Sequence, residues 1–502
     1  MTTSLRAPGS PSENTSSIGP CARRPRGARL PLRQPARSLW SNPTRAALAL
    51  ALLWLAFTLA IIGAARTSIT IDESGHIGFG YSVLDTGEWR MLEQHPPLIH
   101  ELAAWPLLLI PDLTPARESP GWAESDVFRL ARFVVRYRPI DRVVFPVRVP
   151  VALLSVLLGA FVYRWAADWR GRDAGLFALG LYALDPNILA NAQVLTTDLG
   201  VACFVFIAVY FFQRFLRRPT WGRVIAAGVA IGLSQSSKGS AVMTLPVVCL
   251  LVAVHALTVR LSRRPLRLAL ALAAMALVAF LTLWATYGFA LEQPPGWSWA
   301  APLGGHVKTF LLVQQHLAEG HPEFLFGQVG TRGWWWYFPF AFAVKTPLPT
   351  LVLLAAAVVS SGALTCRLWR QGNSGELGGL VWRGAMLGAF PVLFFVSTLF
   401  STVNIGYRHI LPILPFIFVF IGVQVSNLKS LISNLKSPCL LVGLLLAWYV
   451  VSVASILPFP NGYFNELVGG PDNGWKYLAD SNTEWGQSVK ELKRYMDARG
   501  WS

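Results

Sequence analysis

Apolar residues in this chain gather into long runs that recur from near the N-terminus almost to the end. Most runs are roughly 20 residues long, the length an α-helix needs to cross a hydrocarbon core. Eleven can be marked: residues 46–65, 146–165, 174–191, 194–213, 223–237, 239–259, 267–287, 337–362, 384–402, 410–426 and 438–457. The pattern predicts an all-α fold, a polytopic membrane protein with about eleven transmembrane helices.

Charge then orients that picture. The 502 residues carry a formal charge of +17, although only 14% of them are charged. A basic balance can signal nucleic acid, but here Arg and Lys sit mainly in the N-terminal segment and in short links between apolar runs. That distribution is topological and excludes nucleic acid as a partner. Links holding Arg164, Arg170 and Arg172, then Arg217, Arg218 and Arg223, then Arg260, Arg263, Arg264 and Arg267 fall on the N-terminal side of the membrane. Arg367, Arg370 and Arg383 do so too, as do Lys429 and Lys436, which is what the positive-inside rule requires.

The chain is therefore expected in the cell membrane, multi-pass, with a cytoplasmic N-terminus and an extracytoplasmic C-terminus. Residues 1–45, with Arg23, Arg24, Arg26, Arg29, Arg33 and Arg37 among Pro, Ser and Gly, read as a disordered basic cytoplasmic tail. Residues 46–457 form the transmembrane domain and 458–502 a short outer tail. The run 46–65 is long enough to remain as an anchor rather than act as a cleaved signal. The outer segments are 66–145, the tight turns at 191–198 and at 238, 288–336, 403–409 and the tail from Leu457. The five cysteines show no disulfide or metal spacing.

Every unusual polar cluster lies on that outer side. Thr70-Ile71-Asp72-Glu73-Ser74-Gly75-His76 follows the first run, with Thr70 and Glu73 at capping-box spacing. Asp72 would sit in the first helical turn with His76 four residues on, along the same face. His95 precedes Pro96 and Pro97, which fix an extended approach, so it either serves the turn or faces a phosphate. Asp198, between two closely spaced runs, either caps the helix that follows or faces a polar cavity. Lys238 and Lys345 stand near outer ends of apolar runs. A cation at a helix centre costs roughly 2.5–3.5 kcal/mol on insertion scales, so each either snorkels to the interface or does chemistry. Arg408, in Asn404-Ile405-Gly406-Tyr407-Arg408-His409, can grip a phosphate through two parallel hydrogen bonds.

In their order and common side, these clusters resemble the C-superfamily membrane glycosyltransferases, particularly the protein O-mannosyltransferase family (glycosyltransferase family 39) and the bacterial aminoarabinose transferase relatives. Asp72-Glu73, His95-Pro96-Pro97-Leu98, Thr197-Asp198, Lys345-Thr346-Pro347 and the Asn404–His409 turn carry the resemblance. Tyr463-Phe464-Asn465-Glu466-Leu467 and Asp480-Ser481-Asn482-Thr483-Glu484-Trp485-Gly486-Gln487 are similar to a bacterial branch of the group.

The resemblance implies an active site on the first outer loop and inverting transfer of a hexose or pentose from a polyprenyl-phosphate carrier. Asp72 would be the base, and a protein, lipid or glycan hydroxyl the acceptor. Glu73, His76, His95, Asp198, Lys238, Lys345, Arg408 and His409 would bind substrate. A carboxylate with an ordinary pKa of about 3.9 is ionised near neutrality and can take the hydroxyl proton. The leaving phosphate needs positive charge rather than a general acid, which points to His95, Lys345 and Arg408. No cofactor and no metal are expected.

The pattern departs from the group at two places. His95 stands where aminoarabinose transferases have Lys, and 288–336 is too short for the lectin-like domain of eukaryotic mannosyltransferases. A transporter or flippase of lipid-linked sugars is the alternative, although matching halves are missing. A non-catalytic protein binding lipid-linked sugars is a third reading, against which Asp72 stands.

Overall fold

The computed structural model describes residues 43–91, 94–136, 139–259, 265–431 and 438–501. The expected basic tail lies almost wholly outside these residues, as do Cys21, Arg260, Arg263, Arg264 and Lys436. The fold is nearly all helix. In chain order the α-helices are α1 Pro43–Arg66, α2 Ile71–Thr86, α3 Leu98–Ala104, α4 Pro120–Glu124, α5 Val127–Arg136, α6 Asp141–Arg170, α7 Arg172–Ala183, α8 Pro186–Ala192, α9 Thr197–Arg217 and α10 Trp221–Gln235. There follow α11 Thr244–Val259, α12 Pro265–Ala285, α13 Gly304–Glu319, α14 Tyr337–Lys345, α15 Leu348–Arg370, α16 Ser374–Thr398, α17 Leu414–Leu431, α18 Pro438–Ala454 and α19 Val489–Ala498. Two small antiparallel ribbons, 291–292 with 301–302 and 323–325 with 328–330, decorate the loop between α12 and α14.

Among the described residues, eight helices are long and apolar enough to cross a membrane. They are α1, α6, α9, Gly239–Leu257, α12, α15, α16 and Tyr407–Val425. Three expected spans fall short for physical reasons. The run 174–191 is broken between α7 and α8, where Asp185 accepts the N–H groups of Asn187 and Ile188 at 3.0 Å and Pro186 takes the first helical position. The run 223–237 forms only the 15 residues of α10, and 438–457 only the 17 of α18. The run 337–362 is also interrupted: Pro347 forces Thr346 into an extended conformation (φ −84°, ψ 132°), so α14 stops at Lys345 and a new helix begins.

Helix α9 is the axis of the bundle, with 89% of its apolar window buried, whereas α12 is at the rim with 11%. Rim helices turn Leu48, Leu50, Trp54, Leu270 and Leu277 outward, a surface that suits lipid and not water. Gly228 and Gly232 let α10 lie directly on α12: a Cβ on Gly232 would come 2.6 Å from the Ala279 carbonyl.

Helix α2 starts with the capping box expected from its sequence. The Thr70 N–H donates to Glu73 Oε2 at 2.8 Å, and Thr70 Oγ1 accepts the Glu73 N–H at 3.4 Å. Residues 458–501 do not hang free. They pack back onto α14, with the Asn465 side chain donating to the carbonyls of Ala343 (2.7 Å) and Thr346 (2.8 Å).

Candidate active site

Four chain segments meet at one end of the bundle and bring a line of alternating charges together. Asp72, in the first turn of α2, accepts from Arg408 Nη1 at 2.5 Å. The same Nη1 lies 4.0 Å from Asp198 Oδ2 at the start of α9, and Asp198 Oδ1 accepts from Lys238 Nζ at 2.5 Å. Two cations thus balance two carboxylates, which is what allows the charges to sit away from bulk water. Access differs between the carboxylates: the Asp198 side chain is 3% exposed and the Asp72 side chain 34%. Of the two carboxylates, Asp72 is the more open.

Burial pushes the Asp72 pKa up, but Arg408 and then His76 outweigh it, and the carboxyl ends below its ordinary value. Burial lowers the pKa of His76, on the same face of α2, against the opposing pull of Asp72. Its Nδ1 lies 2.9 Å from His100 Nε2, and His100 Nδ1 lies 3.0 Å from the Pro96 carbonyl. A carbonyl only accepts, so His100 carries its proton on Nδ1, its Nε2 accepts, and His76 donates from Nδ1. Burial lowers the pKa of His100 and of His95 well below the usual range. The His95 ring lies 5.7 Å from that of His76, and its Nδ1 is buried with no hydrogen-bond partner among the described residues.

Lys345, at the C-terminal end of α14, enters from the other side. Its ammonium donates to the backbone carbonyls of Asn461 (2.9 Å) and Asn482, and stands 4.6 Å from the centre of the Phe464 ring. A recess beside it is lined by Lys345, Arg408, Asn187, Asn191, Ser481 and Trp485. Arg408 rests on the Trp485 ring, 4.3 Å from its centroid, and its Nε is buried with no hydrogen-bond partner among the described residues. His409 stacks on Phe338, ring centres 6.3 Å apart.

Glu73 corrects the expectation that it binds substrate. Both its oxygens are taken: Oε1 by Arg148 Nε (2.7 Å) and the Leu195 N–H (2.8 Å), Oε2 by Arg148 Nη2 (2.6 Å) and the Thr70 N–H (2.8 Å). Both side chains are fully buried. Arg148 also donates to the carbonyls of Ala64 (2.7 Å), Thr67 (3.1 Å) and Ser68 (2.6 Å), so one guanidinium binds the end of α1 to the start of α2. The pair is a strut, and no face is left for a ligand.

Sequence reasoning passed over Arg148, His100 and the placement of Trp485. Arg148 had a readable signal, since it is an arginine inside an apolar run. His100 had none beyond its position four residues after Pro96. Among the described residues no group of three or more His, Cys, Asp or Glu side chains is placed to hold a metal ion.

With this geometry in view, likeness to known proteins adds to it. A family model described as dolichyl-phosphate-mannose-protein mannosyltransferase matches residues 140–285, a segment that includes Asp198 and Lys238. No curated protein sequence matches the chain. Among solved structures, the oligosaccharyltransferase of Archaeoglobus fulgidus aligns at TM-score 0.54 and 12% identity, over 87% of this chain and 58% of that one. The ArnT protein of Cupriavidus metallidurans aligns at TM-score 0.48 and 14% identity, over 82% of this chain and 71% of that one. The protein O-mannosyltransferase complex of S. cerevisiae aligns at 0.38 and 18%, over 49% and 33%. The fold is similar to that of the Archaeoglobus fulgidus oligosaccharyltransferase. Residues 140–285 carry the mannosyltransferase family's pattern.

Proposed function

We propose that the protein transfers a sugar, with inversion, from a polyprenyl-phosphate carrier to an acceptor hydroxyl at the outer face of the cell membrane. The observation that carries this reading is the Asp72 carboxylate: ionised, partly open, and set against Arg408 at 2.5 Å in an otherwise buried charge line. The family model matched by residues 140–285 is named for a transferase that uses a lipid-phosphate sugar, which fits the same chemistry.

In this reading Asp72 accepts the proton of the acceptor hydroxyl as its oxygen attacks the anomeric carbon. The bond from that carbon to the phosphate oxygen breaks, and the phosphate leaves with the electron pair. A leaving phosphate needs positive charge, not a proton donor, and the Arg408 guanidinium and Lys345 ammonium border the recess where it would be held. Attack from the side opposite the phosphate inverts the anomeric centre. Asp198 stands behind Arg408, and Lys238 in turn holds Asp198.

The test uses purified protein in lipid vesicles, a panel of polyprenyl-phosphate sugars, and release of free polyprenyl phosphate as the readout. Release that depends on one sugar and on Asp72 supports the transferase. Movement of intact sugar-lipid between leaflets, with no release, would replace it with the flippase.

A further inference from the structure

Residues 480–490 have no part in the chemistry above, yet they run directly across the site. Trp485 touches one member of its central ion pair, Arg408, and the residue next to the other. Its ring lies against the Arg408 guanidinium at 4.3 Å, and its backbone carbonyl accepts the N–H of Ile71, the residue before Asp72, at 3.2 Å. The segment is fastened on each side of that contact. The Ser68 N–H donates to the Gln487 carbonyl at 2.8 Å and the Lys490 N–H to Ser68 Oγ at 2.7 Å. Asn482 Oδ1 accepts the N–H of Tyr407, the residue before Arg408, at 2.9 Å. Gly486 passes over the start of α2 with φ +117°, and a Cβ there would come 3.0 Å from the Ile69 carbonyl, so the crossing requires glycine. The Trp485 residue is 9% exposed.

We propose that Trp485 is a positioning residue for Arg408, its ring fixing the plane in which the guanidinium meets the donor phosphate. The proposal rests on the transferase reading above. An arginine side chain has several rotatable bonds, and its value to a phosphate lies in presenting a planar fork at a set angle. A ring against one face removes rotational freedom, shields that face from water and attracts the cation. The Nε of Arg408, buried at the recess with no hydrogen-bond partner among the described residues, is a donor that an entering oxyanion would satisfy.

Full-length protein in nanodiscs, as wild type, Trp485→Phe and Trp485→Leu, is titrated with sugar-free polyprenyl phosphate, and transfer is measured in parallel. Leucine fills space without a π face, so it separates stacking from packing. The expected result is roughly tenfold weaker phosphate binding and a similarly raised donor KM in Trp485→Leu, with kcat within about twofold, and near-complete recovery in Trp485→Phe. Wild-type binding in Trp485→Leu would overturn the proposal, as would equal impairment of the two variants through kcat alone. If binding depends on the Trp485 ring but no donor is turned over, the transferase reading falls and the positioning role stands. If transfer depends on Asp72 but binding ignores the ring, the reverse holds.

Discussion

Replacing Asp72 by asparagine keeps the shape of the first turn of α2 and removes the negative charge, and with it both the ability to accept a proton and the ion pair with Arg408. Transfer is expected to fall by roughly 10²–10⁴, the contribution of a positioned base, while the protein still folds into the membrane. Donor turnover by Asp72→Asn in vesicles checks this. The pH dependence follows from the sign of the shift. Because Arg408 and His76 hold the Asp72 pKa below its ordinary value, the base stays ionised on mild acidification, and its own titration should not lower the rate between pH 7 and about pH 5. The Asp72–Arg408 pairing adds stability at neutral pH and loses it as pH falls through the folded-state pKa. The unfolding-temperature difference between wild type and Asp72→Asn should therefore shrink below about pH 4.

At this scale the sequence made much of the site readable. An acidic residue directly after an apolar run is conspicuous, and so are lone cations at the ends of such runs. Their pairing was hidden. Asp198 and Lys238 lie 40 residues apart and Asp72 and Arg408 lie 336 apart, and no local pattern joins them. Adjacent Asp72 and Glu73 looked alike because Arg148, the group that separates their roles, is 75 residues from Glu73.

Among elements, the joint of α1, α2 and α6 depends on one buried pair. Arg148→Leu strands the Glu73 carboxylate without its counter-charge, a change that costs about 3–5 kcal/mol in comparable buried pairs. The expected outcome is poor recovery of folded protein and a lowered unfolding temperature in detergent, in contrast to Asp72→Asn. The α10–α12 contact gives a second case. Gly232→Leu places a side chain where even a Cβ meets backbone, and overpacking of this kind costs about 1–3 kcal/mol, measurable as a lower unfolding temperature. Helix existence was legible from apolar runs, but their interruptions were not. Asp185-Pro186 and Thr346-Pro347 are short polar breaks inside longer apolar runs, and only the backbone rules for proline reveal that Lys345 ends one helix instead of lying inside another.

For the whole molecule, the distribution of basic residues makes a directional prediction. Cys366, exposed near the end of α15, is expected on the cytoplasmic side, and Val329, exposed in the α12–α14 loop, on the outer side. In right-side-out vesicles a membrane-impermeant maleimide should label a single-cysteine Val329→Cys protein and spare one retaining only Cys366. The reverse pattern would invert the topology and the proposed face of reaction.

The two neighbouring acids of α2 divide labour in a way that limits how such a protein can change. An α-helix turns by about 100° per residue, so Asp72 and Glu73 look in different directions from one turn. Glu73 bolts that turn to α6, and Asp72 inherits its address from the bolt. Residues added or removed between Thr70 and Glu73 would break the cap and move the base at once. Changes in the α12–α14 loop, by contrast, leave the Asp72 carboxylate where Arg148 has anchored its turn.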